Sequence, residues 1–518
     1  MPIIHTNQFW DYIINESWLI TNKCIELLTR KDYNFDTKKY DISIFYQIIN
    51  TLTIDNIQYK TIRFPGGLST YLSRELGLTI ENQNEYKKIS LKYIKDIADN
   101  IKLINSKFEV RDYQIDAVKT SLESFRSLIT ASTGSGKTSI MSLVCACLKN
   151  KKILILNDNN FILTQIYDRL ISFGEENISW NPSKEPDYTK RIVLLNTKGS
   201  DIRLNKKDST YLNYLQNVET IIYDEAHGAQ ALTFFEPLFY TNPDKLKHII
   251  GYTATPFRNY KNPYNNTMDF RLIGILGEIA FRYDLKDSID DGNIAQPYVY
   301  FIKYQNKEPF IPEKFKDNYY IQYRMSITYN KARNKAGIEM LKFLNAHNIK
   351  TMASINNIKP GQNLLKELTE EGIKCLFICG DETIYEWVKG KRGKLKLDER
   401  TGNVDTVKKA LNDGYNIIFS SSVFDEGVDI DSFQAVLLFS GSKDVITYLQ
   451  RIGRGTRKKV NGMNIALAID FKDIGGLYTF EKHYNERKKL MEDSGVKILL
   501  DVHDFIKLVE DIEKAKEE

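Results

Sequence analysis

An α/β protein with two parallel-sheet domains in tandem, preceded by a small N-terminal accessory domain, is the architecture the sequence predicts. Three observations lead there. From about Phe108 onward, short β-branched runs alternate with longer helical patterns, as strands joined by crossover helices do. A glycine-rich turn ending in Lys137-Thr138 separates the first such strand from the first such helix. The alternation then lapses in a stretch rich in Pro, Tyr and Asn and resumes as a second series.

Taken in order, residues 1–103 precede the alternation, have their own pattern and form the accessory domain. The first parallel-sheet domain, 104–295, carries strand-length apolar runs at SLITA (127–131), KILIL (152–156), RIVLL (191–195), TIIYD (220–224) and HIIGYTAT (248–255). Helical patterns intervene after Lys137 and from Phe161. Pro263, Pro297, Pro309 and Pro312 mark the crossover between the series, from about Phe257 to Asn330. The second domain, 296–480, carries KTMASI (350–355), KCLFICG (374–380), YNIIFSS (415–421), AVLLFS (435–440) and NIALAIDF (464–471). Residues 481–518 read as a helical extension.

Composition excludes several classes. With 518 residues, 42% of them hydrophobic, the chain can bury several cores and is neither disordered nor a small disulfide scaffold. A net charge of +5 permits an acidic partner but falls short of the strongly basic signature of a DNA-coating protein. The five cysteines are scattered among apolar neighbours and read as small core residues of a reducing compartment. The six histidines lie too far apart to build a zinc site with them. No apolar run is long enough to span a bilayer and no secretory leader opens the chain, so no membrane role and a cytoplasmic protein are expected.

The segment Ala131-Ser132-Thr133-Gly134-Ser135-Gly136-Lys137-Thr138 stands where a phosphate loop must, between strand and helix. Gly134 and Gly136 let backbone N–H groups converge on phosphate oxygens, with Thr133 and Ser135 in the same cradle. Lys137 reaches the β and γ phosphates of ATP, and the Thr138 hydroxyl is offered to Mg²⁺. Downstream, Asp224-Glu225-Ala226-His227 ends an apolar strand. Asp224 is the second Mg²⁺ partner, and Glu225 is placed to activate the attacking water as general base.

Phosphate loop, DEAH tetrad and GYTATP (251–256), in that order, resemble the first motor domain of superfamily 2 helicases and translocases. The resemblance implies two RecA-like motor domains. It implies that Gln114 in RDYQ (111–114) binds the adenine, with Tyr113 or Phe108 packing on it, and that His227, Thr253 and Thr255 couple nucleotide state to the strand-binding face. In the second domain, Gln450 through Arg457 resembles the sixth motif of that family, which makes Gln450, Arg454 and Arg457 catalytic and places the two arginines at the γ phosphate. Residues 421–430 resemble the fifth motif, with Asp429 near the ribose and Gly427 near the nucleic-acid backbone. Two departures stand out: Asn157 replaces the usual proline after the strand ILIL, and Thr197-Lys198-Gly199 replaces the usual Thr-x-Gln.

Across nearly the whole chain, order and spacing are most similar to helicases of the phage recombination-repair type, which remodel branched DNA. Branched or forked DNA, ATP, Mg²⁺ and a monomeric state are therefore expected, in a bacterial or phage-infected cell. The turn Pro65-Gly66-Gly67 resembles part of their N-terminal substrate module, and is equally a turn that opens a helix. The segment His483–Ile498 resembles their C-terminal helix, with a basic face. An RNA-remodelling ATPase and the motor subunit of a restriction-type complex share the same ATP chemistry and stay open.

Residues 386–400, EWVKGKRGKLKLDER, look longer than the corresponding connection in those helicases. Six cations there, Lys391, Arg392 and Lys394 among them, oppose three carboxylates. Either this is a solvated insertion, or it protrudes towards a DNA duplex, with Trp387 free to stack on a base pair and the cations tracking phosphates.

Overall fold

The computed structural model describes residues 3–514 apart from 8–9, 16–17, 35–38, 55–56, 82–87, 231, 259–261, 308, 380–382, 390–393, 403, 422–432 and 442–464. They gather into two compact units, Met1–Ala131 with Gly136–Tyr283, and Ser132–Ser135 with Asp284–Glu518.

The first unit holds a seven-stranded parallel sheet in the order 178–179, 192–196, 153–157, 220–224, 248–253, 126–131, 279–283. The five expected strands are its centre. They are buried on both sides: Leu128, Leu154, Leu156, Ile221 and Tyr223 pack on one face, Ile129, Ile153, Ile155 and Ile222 on the other. That is the two-residue alternation of a strand whose two faces are both apolar. Both edge strands escape the sequence pattern. One has two residues, and the other, Ile279–Tyr283, alternates in exposure as an edge does and lies in the stretch read as crossover.

The N-terminal strands form a five-stranded sheet in the order 47–54, 57–65, 10–15, 3–7, 79–81, antiparallel except for its last pair. Its core is continuous with one face of the parallel sheet: Ile13, Cys24, Ile62, Phe64, Leu68 and Leu72 belong to the same apolar cluster as Leu128 and Phe270. The seam is tight. Gly67, in the turn that opens the helix Ser69–Leu76, lies so close to the helix Thr267–Leu276 that a Cβ there would fall 2.0 Å from the Ile273 carbonyl oxygen. Tyr71 stacks on Tyr264 at 4.4 Å, and the Arg30 guanidinium covers Phe270 at 3.8 Å. The Pro-Gly-Gly turn thus serves close packing. Helix Leu91–Ile104 packs on the opposite face of the parallel sheet, with Ile94, Ile97 and Ile101 in the cluster of Ile129 and Ile140.

The second unit is built on a nine-stranded sheet in the order 395–401, 383–389, 375–379, 417–420, 351–354, 435–438, 465–471, 296–302, 497–499. All neighbours are parallel except at the first edge, where residues 383–389 run antiparallel both to 375–379 and to 395–401, with which they form a hairpin. The stretch from Glu386 to Arg400 is therefore mostly sheet. Trp387 is not free to stack: its indole N–H donates to the Gln362 carbonyl at 2.9 Å and Lys366 lies over its ring. Arg400 pairs with Glu386 across the hairpin and with Asp398 on its own strand. Of the three cations singled out there, Lys394 is exposed, and Lys391 and Arg392 lie outside the described residues.

All five cysteines are buried and free. Among the described residues no group of three His, Cys, Asp or Glu side chains could hold a metal alone, and no helix is long and apolar enough to cross a membrane.

Candidate active site

Strand 126–131 ends at Ala131, and the chain turns through Gly134 and Gly136, both at φ +84°, into the helix Lys137–Cys147. A side chain at either glycine would be strained, and that left-handed backbone aims successive N–H groups inward. The loop is braced before any ligand arrives. Ser135 Oγ donates to the Ser132 carbonyl at 2.7 Å, and Ser132 Oγ lies 2.6 Å from Ser288 Oγ, a partner no sequence signal announced. Thr133 lies on the same loop, and Thr138 follows Lys137 in the first turn of the helix, where its hydroxyl is half-buried. Lys137 Nζ donates to the Ala131 carbonyl at 3.2 Å, a bond that a phosphate would replace.

Gln114 is buried in the first turn of the helix Asp112–Leu122, where its Oε1 accepts the Arg111 N–H and closes a capping box. A Cβ on Gly136 would fall 2.6 Å from its Nε2, so the adenine-reading candidate touches the phosphate turn itself. The two aromatic candidates separate here. Phe108 is buried against Phe173 and cannot pack on a base, because the core has already taken its ring. Tyr113 lies parallel to Tyr283 at 3.7 Å.

Asp224 ends the strand 220–224 and is buried. Burial, and then the neighbouring Glu225 carboxylate, push its carboxyl up to about 7; Lys137 and a hydrogen bond from Asn157 Nδ2 at 3.2 Å oppose the rise. A carboxyl that burial and a neighbouring carboxylate raise in this way fits a magnesium partner, since a bound cation would favour its charged form. Asp224 and Thr138 are the side chains that would hold it.

Glu225 sits at φ +48°, a left-handed backbone that non-glycine residues adopt at a cost of about 1–3 kcal/mol and mostly at functional sites. That kink turns its carboxylate away from the strand, to 3.4 Å from His227 Nδ1. His227 Nδ1 also lies 2.9 Å from Thr253 Oγ1, which accepts the Thr255 N–H at 3.1 Å. The three coupling candidates are thus hydrogen-bonded to one another, and the candidate base lies 3.4 Å from the first of them.

Asn157, the departure from the family pattern, is fully buried and uses both ends of its amide. Its Nδ2 donates to Asp224, and its Oδ1 accepts the Asn159 N–H at 2.7 Å, at the head of the following helix. A proline could do neither.

Gly427, Asp429, Gln450, Arg454 and Arg457 lie outside the described residues. What precedes the sixth motif is described. Three consecutive carbonyls beyond the strand 435–438 are each taken by a side chain: Phe439 by Arg333 at 2.6 Å, Ser440 by the Tyr323 hydroxyl, and Gly441 by Arg487 at 3.2 Å. Both arginines are buried and paired, Arg333 with Asp473 at 3.0 Å and Arg487 with Asp470 and Asp473 at 2.7 and 2.9 Å. Arg487, expected on a basic helix face, is instead inside the fold, because two buried carboxylates need its charge. Buried arginines read as surface cations in sequence, so only their later partners give them away.

Two family models match the chain: the res subunit of type III restriction enzymes over residues 107–258, and the helicase conserved C-terminal domain over 335–459. Helicase 22 of the Sulfolobus islandicus filamentous virus is 26% identical over 382 residues, covering 68% of this chain and 62% of that protein. The ATP-dependent DNA helicase uvsW of Enterobacteria phage T4 is 23% identical over 420 residues, covering 78% of this chain and 77% of that one. In fold, Dbp5 of S. cerevisiae, solved with RNA and ADP BeF3, superposes with a TM-score of 0.53 at 14% identity, over 83% of this chain and all of that one.

Proposed function

The chain belongs to the superfamily 2 helicases, and on that premise we propose that it spends ATP to move along DNA and to remodel branched or forked DNA. The observation that carries the catalytic half is the run of close contacts from Glu225 through His227 to Thr253, set beside a preformed phosphate turn and Asp224. In this reading Lys137 leaves the Ala131 carbonyl for the β and γ phosphates, and Gln114 holds the adenine. Mg²⁺, held by Asp224 and Thr138 together with the phosphates, would neutralise charge that develops on the γ phosphoryl group. Glu225 takes the proton of the attacking water, and His227 reports the change in that carboxylate to Thr253.

Arg454 and Arg457 supply the counter-charge of the transition state, with Gln450 beside them and Asp429 on the ribose. Because these groups come from the second motor domain, hydrolysis is tied to closure of the two domains, and alternating closure on a gripped strand becomes stepping. The N-terminal sheet of the 1–103 domain serves substrate choice, the motor domains span 104–295 and 296–480, and Gly427 contacts the strand backbone. The protein acts as a monomer in the cytoplasm.

The reading is supported on the side of DNA by the phage T4 relative, whose name is that of a DNA helicase. ATPase assays with single strands, forks, four-way junctions and duplex RNA test it. Forks or junctions should stimulate hydrolysis most; equal or greater stimulation by RNA would transfer the chain to the RNA-remodelling class.

A further inference from the structure

In the second unit, ahead of its first long helix, the helix Tyr319–Tyr323 runs on into a single π-helical turn, Arg324–Thr328. Single π turns are rare and collect at functional sites. The inward side of this segment is ordinary core, with Ser326, Ile327 and Thr328 buried. Its outward side is not ordinary surface. Tyr320 is 60% exposed and Tyr329 41%, and the Arg324 guanidinium lies between their rings, 5.5 Å from one and 5.1 Å from the other. Arg324 Nη2 also donates to the Tyr329 hydroxyl at 3.1 Å. Among the described residues no carboxylate pairs with Arg324, whose guanidinium faces the two tyrosines.

The segment is fixed to the part of the sheet where ligands gather in α/β proteins, the carboxyl ends of the parallel strands. Tyr323, between Tyr320 and Arg324, donates its hydroxyl to the Ser440 carbonyl beyond strand 435–438 and accepts from Asn356 Nδ2 at 3.4 Å beyond strand 351–354.

We propose that Tyr320, Arg324 and Tyr329 form a stacking platform for unpaired nucleotides of a single strand, the tyrosine rings taking bases and the guanidinium a phosphate. Two exposed tyrosine rings flanking a cation that no carboxylate among the described residues neutralises match the two chemistries that alternate along a single strand and carry no sequence preference. The platform rests on the reading of the chain as a DNA motor and adds to it the place where the second unit holds unpaired bases.

The test uses the full chain and a fluorescent dT oligomer, with a second oligomer of the same length whose central bases are abasic. The wild type should bind the intact strand roughly tenfold or more above the abasic one, the ratio expected of one or two stacked bases. In Tyr320→Ala/Tyr329→Ala that ratio should collapse towards one, while Tyr320→Phe/Tyr329→Phe keeps it, since phenylalanine stacks as well. Arg324→Gln should shallow the salt dependence of single-strand binding by about 0.7 in slope. An undiminished base-to-abasic ratio in the double alanine variant overturns the platform, whether the patch then proves to seat a protein or nothing. A wild type whose ATPase no DNA stimulates fails the functional reading instead. The phenylalanine pair separates loss of stacking from loss of fold.

Discussion

Asn157 Nδ2 donates to Asp224 Oδ2 at 3.2 Å, so the residue that stands in for a proline holds the carboxylate expected to meet the metal. The bond favours the ionised form of Asp224 and lowers a pKa that burial has raised to about 7. In Asn157→Leu that pKa should rise further. More of the carboxyl is then protonated at neutral pH and competes with the cation. The acid limb of kcat/KM for MgATP should move to higher pH, and more Mg²⁺ should be needed at pH 7; an unmoved limb would mean that Asp224 does not govern it.

Asp224 also links activity to stability. Its folded pKa lies above the 3.8 ordinary for an aspartate, so between about pH 4 and pH 7 the folded chain holds a proton that the unfolded chain has lost. Stability therefore falls as pH rises through that window and stays lowered above it. Asp224→Asn should raise the Tm of the nucleotide-free protein at pH 8, leave it nearly unchanged at pH 4, and abolish turnover. Thermal melts at the two pH values decide it.

Lys137→Ala removes the charge that should hold the β and γ phosphates, whereas Glu225→Gln removes only the proton acceptor. The first should lose ATP binding and hydrolysis together. The second should bind nucleotide like the parent and turn over at least a hundredfold more slowly, within the usual range for a general base. Binding by a fluorescent ATP analogue, run beside steady-state hydrolysis, separates the two.

Arg454→Ala and Arg457→Ala should lower kcat far more than affinity for ATP, because a counter-charge brought by domain closure acts on the reacting state. A parallel fall in affinity would place these arginines in ground-state binding.

Gly67→Ala should destabilise the protein by about 1–3 kcal/mol, the usual cost of overpacking, because its Cβ would meet the Ile273 carbonyl, which cannot swing aside as a side chain can. Thermal unfolding measures it. The same seam forecasts that a fragment beginning near Ile104 loses solubility: it would bare the apolar face around Phe270 and cut away the helix Leu91–Ile104 packed beneath Ile129.

The ten expected strands all fall within a residue or two of the observed ones, because a strand covered on both faces must be apolar throughout and shows as an unbroken run. Edge strands obey no such rule, and the hairpin from Thr383 to Thr401 escaped notice because its exposed side carries charges that read as a loop. At the site, Lys137, Asp224 and Glu225 were legible because phosphate chemistry fixes their spacing along the chain. Asn157, Ser288, Arg333 and Arg487 were not. Each acts through a partner far away in sequence, and an Arg paired with a buried Asp looks in one dimension like any surface cation.

The N-terminal sheet shares its apolar interior with the first motor fold, and the two are in close contact at the seam around Gly67 and Phe270. A sheet welded to its neighbour in this way can turn only with it, so any ligand held by the one would be carried by the other as a single rigid load.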